Sequence, residues 1–354
     1  MGNKMSEKPN FRVALTADMH DAEGRLKFKD LGLGLLEKEP HIEFAPFDDH
    51  APEITAEQLE GVNGVVVLTA HVVKDSLARP EDLLCVARVG VGYDSVDVPA
   101  CTEADVLLTI TKGAPDRPVA EATVGWMIML THNVLQKDRL MREGNWNDRT
   151  KYNGVELRDR TFGAVGLGGI AIETIRLLSI FGMNPPIAFD PFMDAEVASE
   201  LGVELVELDE LLTRADFVSV HCPLTDDTCD LIGARELALM GSGAYLLNTA
   251  RGGIVNENAL YDVLSSGAIA GAALDCYVEE PVLEPSRFRD LDNIILAPHS
   301  IAWTDELFTA MGQMCCQAMV DLSFGREPNG IINPEVLDRP GFQAKWDRLK
   351  RAEG

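Results

Sequence analysis

Cations, aromatic rings and paired cysteines are what this 354-residue chain has least of. Lys and Arg number 31 against 57 Asp and Glu, a formal net charge of -26, and aromatic residues make up 6%. So acidic a surface repels phosphate backbones and anionic headgroups, which argues against nucleic acid and membrane as partners. It repels small anions too, so any anion site has to be built locally from a cation or from backbone N–H groups. The seven cysteines, at 85, 101, 222, 229, 276, 315 and 316, form no CxxC pair and no spaced ligand set, and no metal site is expected. An odd, scattered set suits a reducing compartment. The longest uncharged part of "ATVGWMIMLTHNVLQ" is too short and too polar to span a bilayer, and no signal peptide is evident; the expectation is a cytoplasmic protein. No internal repeat or low-complexity segment occurs. The opening "MGNKMS" fits a myristoylation pattern, weak evidence when it stands alone.

What is present is apolar residue in quantity, 46% of the chain, enough for a large core and two domains. Apolar runs of strand length alternate with helical stretches, the pattern of α/β folding around parallel sheets. "RVALTA", "IEFAPF", "GVVVLTA", "CVARVG" and "DVLLTIT" read as a first set of strands. "TFGAVGL", "PIAFD", "FVSVHC", "AYLLNTA", "AGAALDC" and "NIILAP" read as a second. Between them "PVAEATVGWMIMLTHNVLQKDRLMREG" reads as one long helix, an interdomain spine, and "TDELFTAMGQMCCQAMVDLSFG" as a last helix returning the chain to the first domain.

"TFGAVGLGGIAIETIRLLSIFG" carries G-x-G-x-x-A at Gly166, Gly168 and Ala171, between a strand and an amphipathic helix. In that context the pattern reads as a dinucleotide loop: Gly166 makes the tight turn, Gly168 lets the backbone approach a pyrophosphate, and Ala171 keeps helix and strand close. The next strand ends at Asp190, where a ribose-binding acid belongs; a carboxylate there repels a 2′-phosphate and favours NAD over NADP. The plainer reading of Asp190 is a cap on the turn before Pro191.

Three further strands end at "NTARGG", "ALDCYVEEP" and "ILAPHS", placing Arg251, Glu280 and His299 where open α/β sheets bind ligands. A fixed cation holds an anion, an imidazole moves a proton, and a carboxylate tunes the imidazole. Singly, each reads as a surface or structural residue; together, beside a dinucleotide loop, they point to a reaction.

With these segments, "VARVGVGYDSVDVPA", "GAPDRPVAEATVGWMI", "VHCPLTDDTCDLI" and "LLNTARGGIVNENALYDVLSSGAIAGAALDCYVEEP", the chain resembles the D-2-hydroxyacid dehydrogenases from about Gly64 to Met311. The resemblance implies a Rossmann-type NAD-binding domain, residues 116–310, inserted into a flavodoxin-like substrate domain, residues 1–115 and 311–354, in a homodimer. It implies interconversion of a 2-oxo acid and a D-2-hydroxy acid by hydride transfer with NAD, the substrate lying in the interdomain cleft. Arg251 would anchor the substrate carboxylate and carbonyl, His299 would be the acid/base and Glu280 its partner. The N–H groups of Val91 and Gly92 would cradle the carboxylate, and His71 would face the substrate side chain. Gly166, Gly168, Gly169, Ile170, Asp190, Cys222, Pro223, Thr228, Thr249, Ala250, Arg251, Asp275 and His299 would line the cofactor, Asp275 being the acid near the carboxamide. His221 reads as structural.

Ile301, Trp303, Asp116 and Arg117 depart from the usual family pattern, and all bear on substrate choice. Trp303 narrows the pocket or anchors the following helix; Arg117 meets a second anionic group or forms a surface pair. Glu280 argues against the formate dehydrogenases, which use glutamine there. The alternative function is that of NADH-binding corepressors, which resemble the same family and act through protein partners.

Overall fold

A computed structural model describes residues 10–351; the amino-terminal "MGNKMS" lies outside the described residues. Two compact units divide the chain at Pro115/Asp116 and Ala302/Trp303.

The first unit, residues 10–115 and 303–351 of those described, is built on five parallel strands: β1 Phe11–Leu15, β2 Ile42–Pro46, β3 Gly64–Val67, β4 Cys85–Arg88 and β5 Leu107–Ile110. Their order, β2-β1-β3-β4-β5, is that of flavodoxin. The second unit holds seven parallel strands: β6 Phe162–Val165, β7 Ile187–Phe189, β8 Glu204–Leu205, β9 Phe217–Val220, β10 Tyr245–Asn248, β11 Gly271–Leu274 and β12 Ile294–Leu296. The order β12-β11-β10-β9-β6-β7-β8 is the doubly wound one, and it reverses between β6 and β9. Strands β6, β9 and β11 are buried at every position, as a parallel sheet covered on both faces requires. One apolar cluster includes Val165, Val218, Leu246 and Leu274, and another includes Ala164, Phe217, Leu247 and Ala273, so alternate residues of each strand feed opposite faces.

All eleven expected strands form. The two-residue edge strand β8 and the closing helix Pro340–Leu349 are additional. The expected long helix is two helices, Asp116–Thr131 and Val134–Glu143. The break has a local cause. The Thr131 carbonyl accepts the N–H of Val155, 2.9 Å away, and Asn133 takes a left-handed conformation at φ 51°. The second crossing between units falls at Ala302/Trp303, eight residues before the expected position at 310/311. Thr304 caps the helix Asp305–Ser323 through the Leu307 N–H at 3.1 Å, and a helix buried along most of its length stays with one core. Among the described residues no helix is long and apolar enough to cross a membrane.

Candidate active site

The carboxyl ends of β6, β9, β10, β11 and β12 in the second unit are Val165, Val220, Asn248, Leu274 and Leu296, paired in register across the sheet. The expected groups follow them immediately.

The glycine loop leaves β6 at Gly166 with φ 94°, and a Cβ there would lie 2.8 Å from the Cys222 nitrogen; only glycine lets the loop turn so close to the end of β9. Gly168 caps the helix Gly169–Leu178, which includes Ile170, without a side chain to occupy its N–H groups, and the space over its Cα is open. Asp116 closes in on Gly169 instead, where any Cβ would collide with its carboxylate. Asp190 caps the turn after its strand and also reaches the glycine loop. Its Oδ2 accepts the Leu167 N–H of the glycine loop at 2.8 Å, and its Oδ1 accepts the Phe192 N–H of the following turn at 2.9 Å. The carboxylate is thereby fixed beside the loop. Burial pushes the Cys222 thiol up to about 11, the nearby Asp190 charge adding to the effect, which disfavours the thiolate that a nucleophile needs. Thr228 donates its hydroxyl to the Pro223 carbonyl at 2.6 Å and accepts the Thr225 N–H at 2.7 Å, closing the loop after β9. Thr249 presents a buried hydroxyl oxygen with no partner among the described residues, as a position awaiting a ligand hydroxyl would.

His221 keeps its ring nitrogens buried, with no hydrogen-bond partner among the described residues, and its ring lies 6.4 Å from that of Phe162. Burial pushes its pKa down to about 4, below the 6.5 of an unfolded histidine. Between those values the unfolded chain binds the extra proton, so stability falls as pH drops from 6.5 to 4, by on the order of 3 kcal/mol from this group. His221→Phe is expected to flatten that part of the stability curve, read by urea unfolding across the window; an unchanged slope would contradict the assignment.

Arg251 is delivered by a turn that Asn248 ties together. The buried Asn248 side chain accepts the Ala250 N–H at 3.0 Å and donates to the Arg251 carbonyl at 2.8 Å, and the Arg251 guanidinium donates to the Ala250 carbonyl at 2.7 Å. Gly252 is needed because a Cβ would overlap the Tyr277 carbonyl. The glycine therefore admits the β11 loop.

His299 Nδ1 lies 2.7 Å from Glu280 Oε2, and Glu280 Oε1 accepts the Tyr277 N–H at 2.8 Å. Burial alone would raise the Glu280 pKa. The hydrogen bonds from His299 and Tyr277 and the charges of His299 and Arg251 outweigh it, and the carboxyl is held below its ordinary range. The charges of His299 and Arg251 are therefore both felt at the Glu280 carboxylate. His299 itself sits at φ 52°, a left-handed conformation costing roughly 1–2 kcal/mol for a residue with a Cβ. Asp275 compensates: its carbonyl accepts the His299 N–H at 2.8 Å, and its carboxylate accepts those of Ser300 at 2.9 Å and Ile301 at 3.2 Å. Burial nevertheless raises the Asp275 pKa overall. Asp275→Ala is expected to release this turn and lower turnover by about 10²-fold, the scale of a misplaced group, with partial rescue by Asn. Equal losses for Ala and Asn would remove the positioning role.

The substrate-choice residues resolve individually. Arg117 pairs with Glu121 and, at 3.0 Å, with Glu173, a surface network. Ile301 packs on the second unit's core. In the first unit Trp303 meets Phe28 and Phe308 edge-on, ring centres 6.1 and 5.2 Å away, which anchors the helix that follows. His71 is exposed, its backbone bonded to Pro52 and Ile54. Val91 and Gly92 follow β4 in the first unit, and among the described residues neither donates its N–H to a protein acceptor.

Residues 124–300 match the pattern described as "D-isomer specific 2-hydroxyacid dehydrogenase, NAD binding domain". D-3-phosphoglycerate dehydrogenase of Methanocaldococcus jannaschii is 37% identical over 299 residues, which cover 83% of this chain and 56% of that protein. The chain belongs to the D-2-hydroxyacid dehydrogenase family. It spans little more than half the length of that relative. Another family member, glyoxylate reductase of Korarchaeum cryptofilum, is 33% identical over 88% of this chain and 96% of its own. The solved structure of a glyoxylate reductase from Paecilomyes thermophila superposes with a TM-score of 0.78 at 27% identity, covering 92% of this chain and 99% of that one. The family's NAD-binding domain and the doubly wound sheet thus coincide in residues 124–300.

Asn248 and Tyr277 tie the site's turns together and were not singled out in the sequence. Asn248 had a signal, an Asn at a strand end before a turn. Tyr277 had none, since its work is done by its N–H and by a hydroxyl donating to the Ala297 carbonyl at 3.0 Å.

Proposed function

We propose that this protein reduces a 2-oxo acid to the D-2-hydroxy acid with NADH, and catalyses the reverse reaction with NAD. The observation that carries the reading is the 2.7 Å contact between His299 Nδ1 and Glu280, with the Arg251 charge acting on the same carboxylate. With NADH bound, the nicotinamide supplies hydride to the substrate C2. Arg251 holds the substrate carboxylate and orients its carbonyl. His299, its Nδ1 held by anionic Glu280, presents Nε2 and gives its proton to the developing alkoxide. By the family resemblance, the Val91 and Gly92 N–H groups would bind a carboxylate and His71 would bear on side-chain choice. In the dinucleotide site Gly166, Gly168, Gly169 and Ile170 would meet the pyrophosphate and Asp190 the ribose. Cys222, Pro223 and Thr228 would line the adenine side; Thr249, Ala250 and Asp275 would line the nicotinamide side.

The second unit also exposes Leu135, Met141, Trp146 and Val155 within one stretch of sequence, at 42%, 60%, 59% and 40%, apolar side chains that a second copy of the chain would cover. Sedimentation velocity reading only monomer would remove the homodimer from the proposal.

NADH oxidation against glyoxylate, hydroxypyruvate, phosphohydroxypyruvate and longer sugar-derived 2-oxo acids tests the activity. Turnover of at least one, with NADH preferred over NADPH because Asp190 repels a 2′-phosphate, is the expected result. Tight NADH binding with no turnover of any would favour the corepressor-like reading.

A further inference from the structure

Cys276, Glu280 and His299 each offer one donor atom, and the three atoms lie within 4.8 Å of one another. No ligand spacing in the sequence announces this set. It forms because β11 and β12 are adjacent and parallel, which brings the residues following Leu274 beside those following Leu296. Cys276 is buried at 2% exposure, while Glu280 and His299 open to solvent, so the cluster has a closed floor and an open side.

We propose that these side chains bind a thiophilic divalent cation, with Zn2+ as the reference ion, and that occupancy shuts off reduction by withdrawing His299 from proton transfer. The inhibition rests on the catalytic reading above; the binding does not. Sulfur, imidazole nitrogen and carboxylate oxygen form a Zn2+ donor set, with bonds of about 2.3, 2.0 and 2.0 Å, which place tetrahedral ligand atoms roughly 3.3–3.6 Å apart. The present separations, 2.7 Å between His299 and Glu280 and at most 4.8 Å to the sulfur, bracket that value. The ion therefore enters by widening the 2.7 Å His299–Glu280 contact by about 0.6 Å on those bond lengths and turning the thiol inward. Among the thiol's contacts is a long sulfur one, 3.4 Å to the Ala250 carbonyl.

The exchange balances in protons. Cys276 gives its thiol proton to solvent and binds as thiolate. The proton shared by His299 and Glu280 also leaves, so that both can ligate. A fourth position stays open to water. Mg2+ and Ca2+ prefer all-oxygen sets and find one oxygen ligand residue here.

Co2+ serves as the spectroscopic probe, added to the full chain carrying Cys229→Ser to remove the exposed thiol. The expected result is a sulfur-to-cobalt charge-transfer band saturating near one ion per chain, displaced by Zn2+ and absent in Cys276→Val. Cys276→Ala, checked for an unchanged melting temperature, serves as the second variant if valine crowds the floor. In NADH oxidation, Zn2+ should inhibit reversibly with EDTA, Mg2+ should not, and Cys276→Val should keep turnover while needing at least about tenfold more Zn2+ for the same inhibition. A Cys276-dependent band in a protein that reduces no 2-oxo acid would uphold the cation site and sink the catalytic reading. The absence of a band, or Zn2+ inhibition equal in wild type and Cys276→Val, would overturn the cation site.

Discussion

His299→Ala is expected to lower kcat for 2-oxo acid reduction by about 10²–10⁴-fold, the usual contribution of a positioned general acid, while NADH binding stays close to wild type. The separation follows from geometry. The glycine loop and Asp190 stand at the ends of β6 and β7, and His299 follows β12 at the far side of the sheet order. Losing the imidazole removes the proton donor and leaves Glu280 without its 2.7 Å partner, but it touches no backbone group of the loop. Stopped-flow reduction and NADH fluorescence titration on the same preparation read the two quantities. Turnover equal to wild type would show that the proton comes from elsewhere.

Arg251→Met should fail differently. A guanidinium making two charge-assisted hydrogen bonds, each contributing about 1.5–3 kcal/mol, supplies about 10²–10⁴-fold in kcat/KM. Part of that loss should appear as a higher KM, because the carboxylate is bound in ground state and transition state alike. Arg251→Lys should recover only a fraction, since an ammonium restores the charge without the planar fork. The chain's net charge of -26 sharpens the expectation, because no diffuse positive field replaces the missing cation. Steady-state kinetics with several 2-oxo acids give the split; a unit KM ratio and unchanged kcat for Arg251→Met would remove the anchor role.

Sequence alone carried the strands because apolar runs of four to six residues between glycines and helical stretches have few other solutions, and the glycine pattern after "TFGAV" fixed where the doubly wound sheet begins. The 310/311 boundary and the single long helix failed for one physical reason. Each depended on who takes a backbone group, Thr304 capping one helix and the Val155 N–H claiming the Thr131 carbonyl of the other, and neither partner is visible in apolar spacing. The candidate residues themselves were legible as types at strand ends. What was not legible is their support: the left-handed turn at His299 bound to Asp275 and the Asn248 side chain beneath Arg251.

The most direct measurement follows the hydride. NADH carrying deuterium at the transferable C4 position is turned over by the wild-type chain with its best 2-oxo acid, and the product is analysed by mass spectrometry and chiral chromatography. Deuterium at C2 of the D-2-hydroxy acid, its rate of appearance collapsing in His299→Ala, is the result expected. Deuterium absent from C2, or product of the L configuration, would contradict the assigned chemistry.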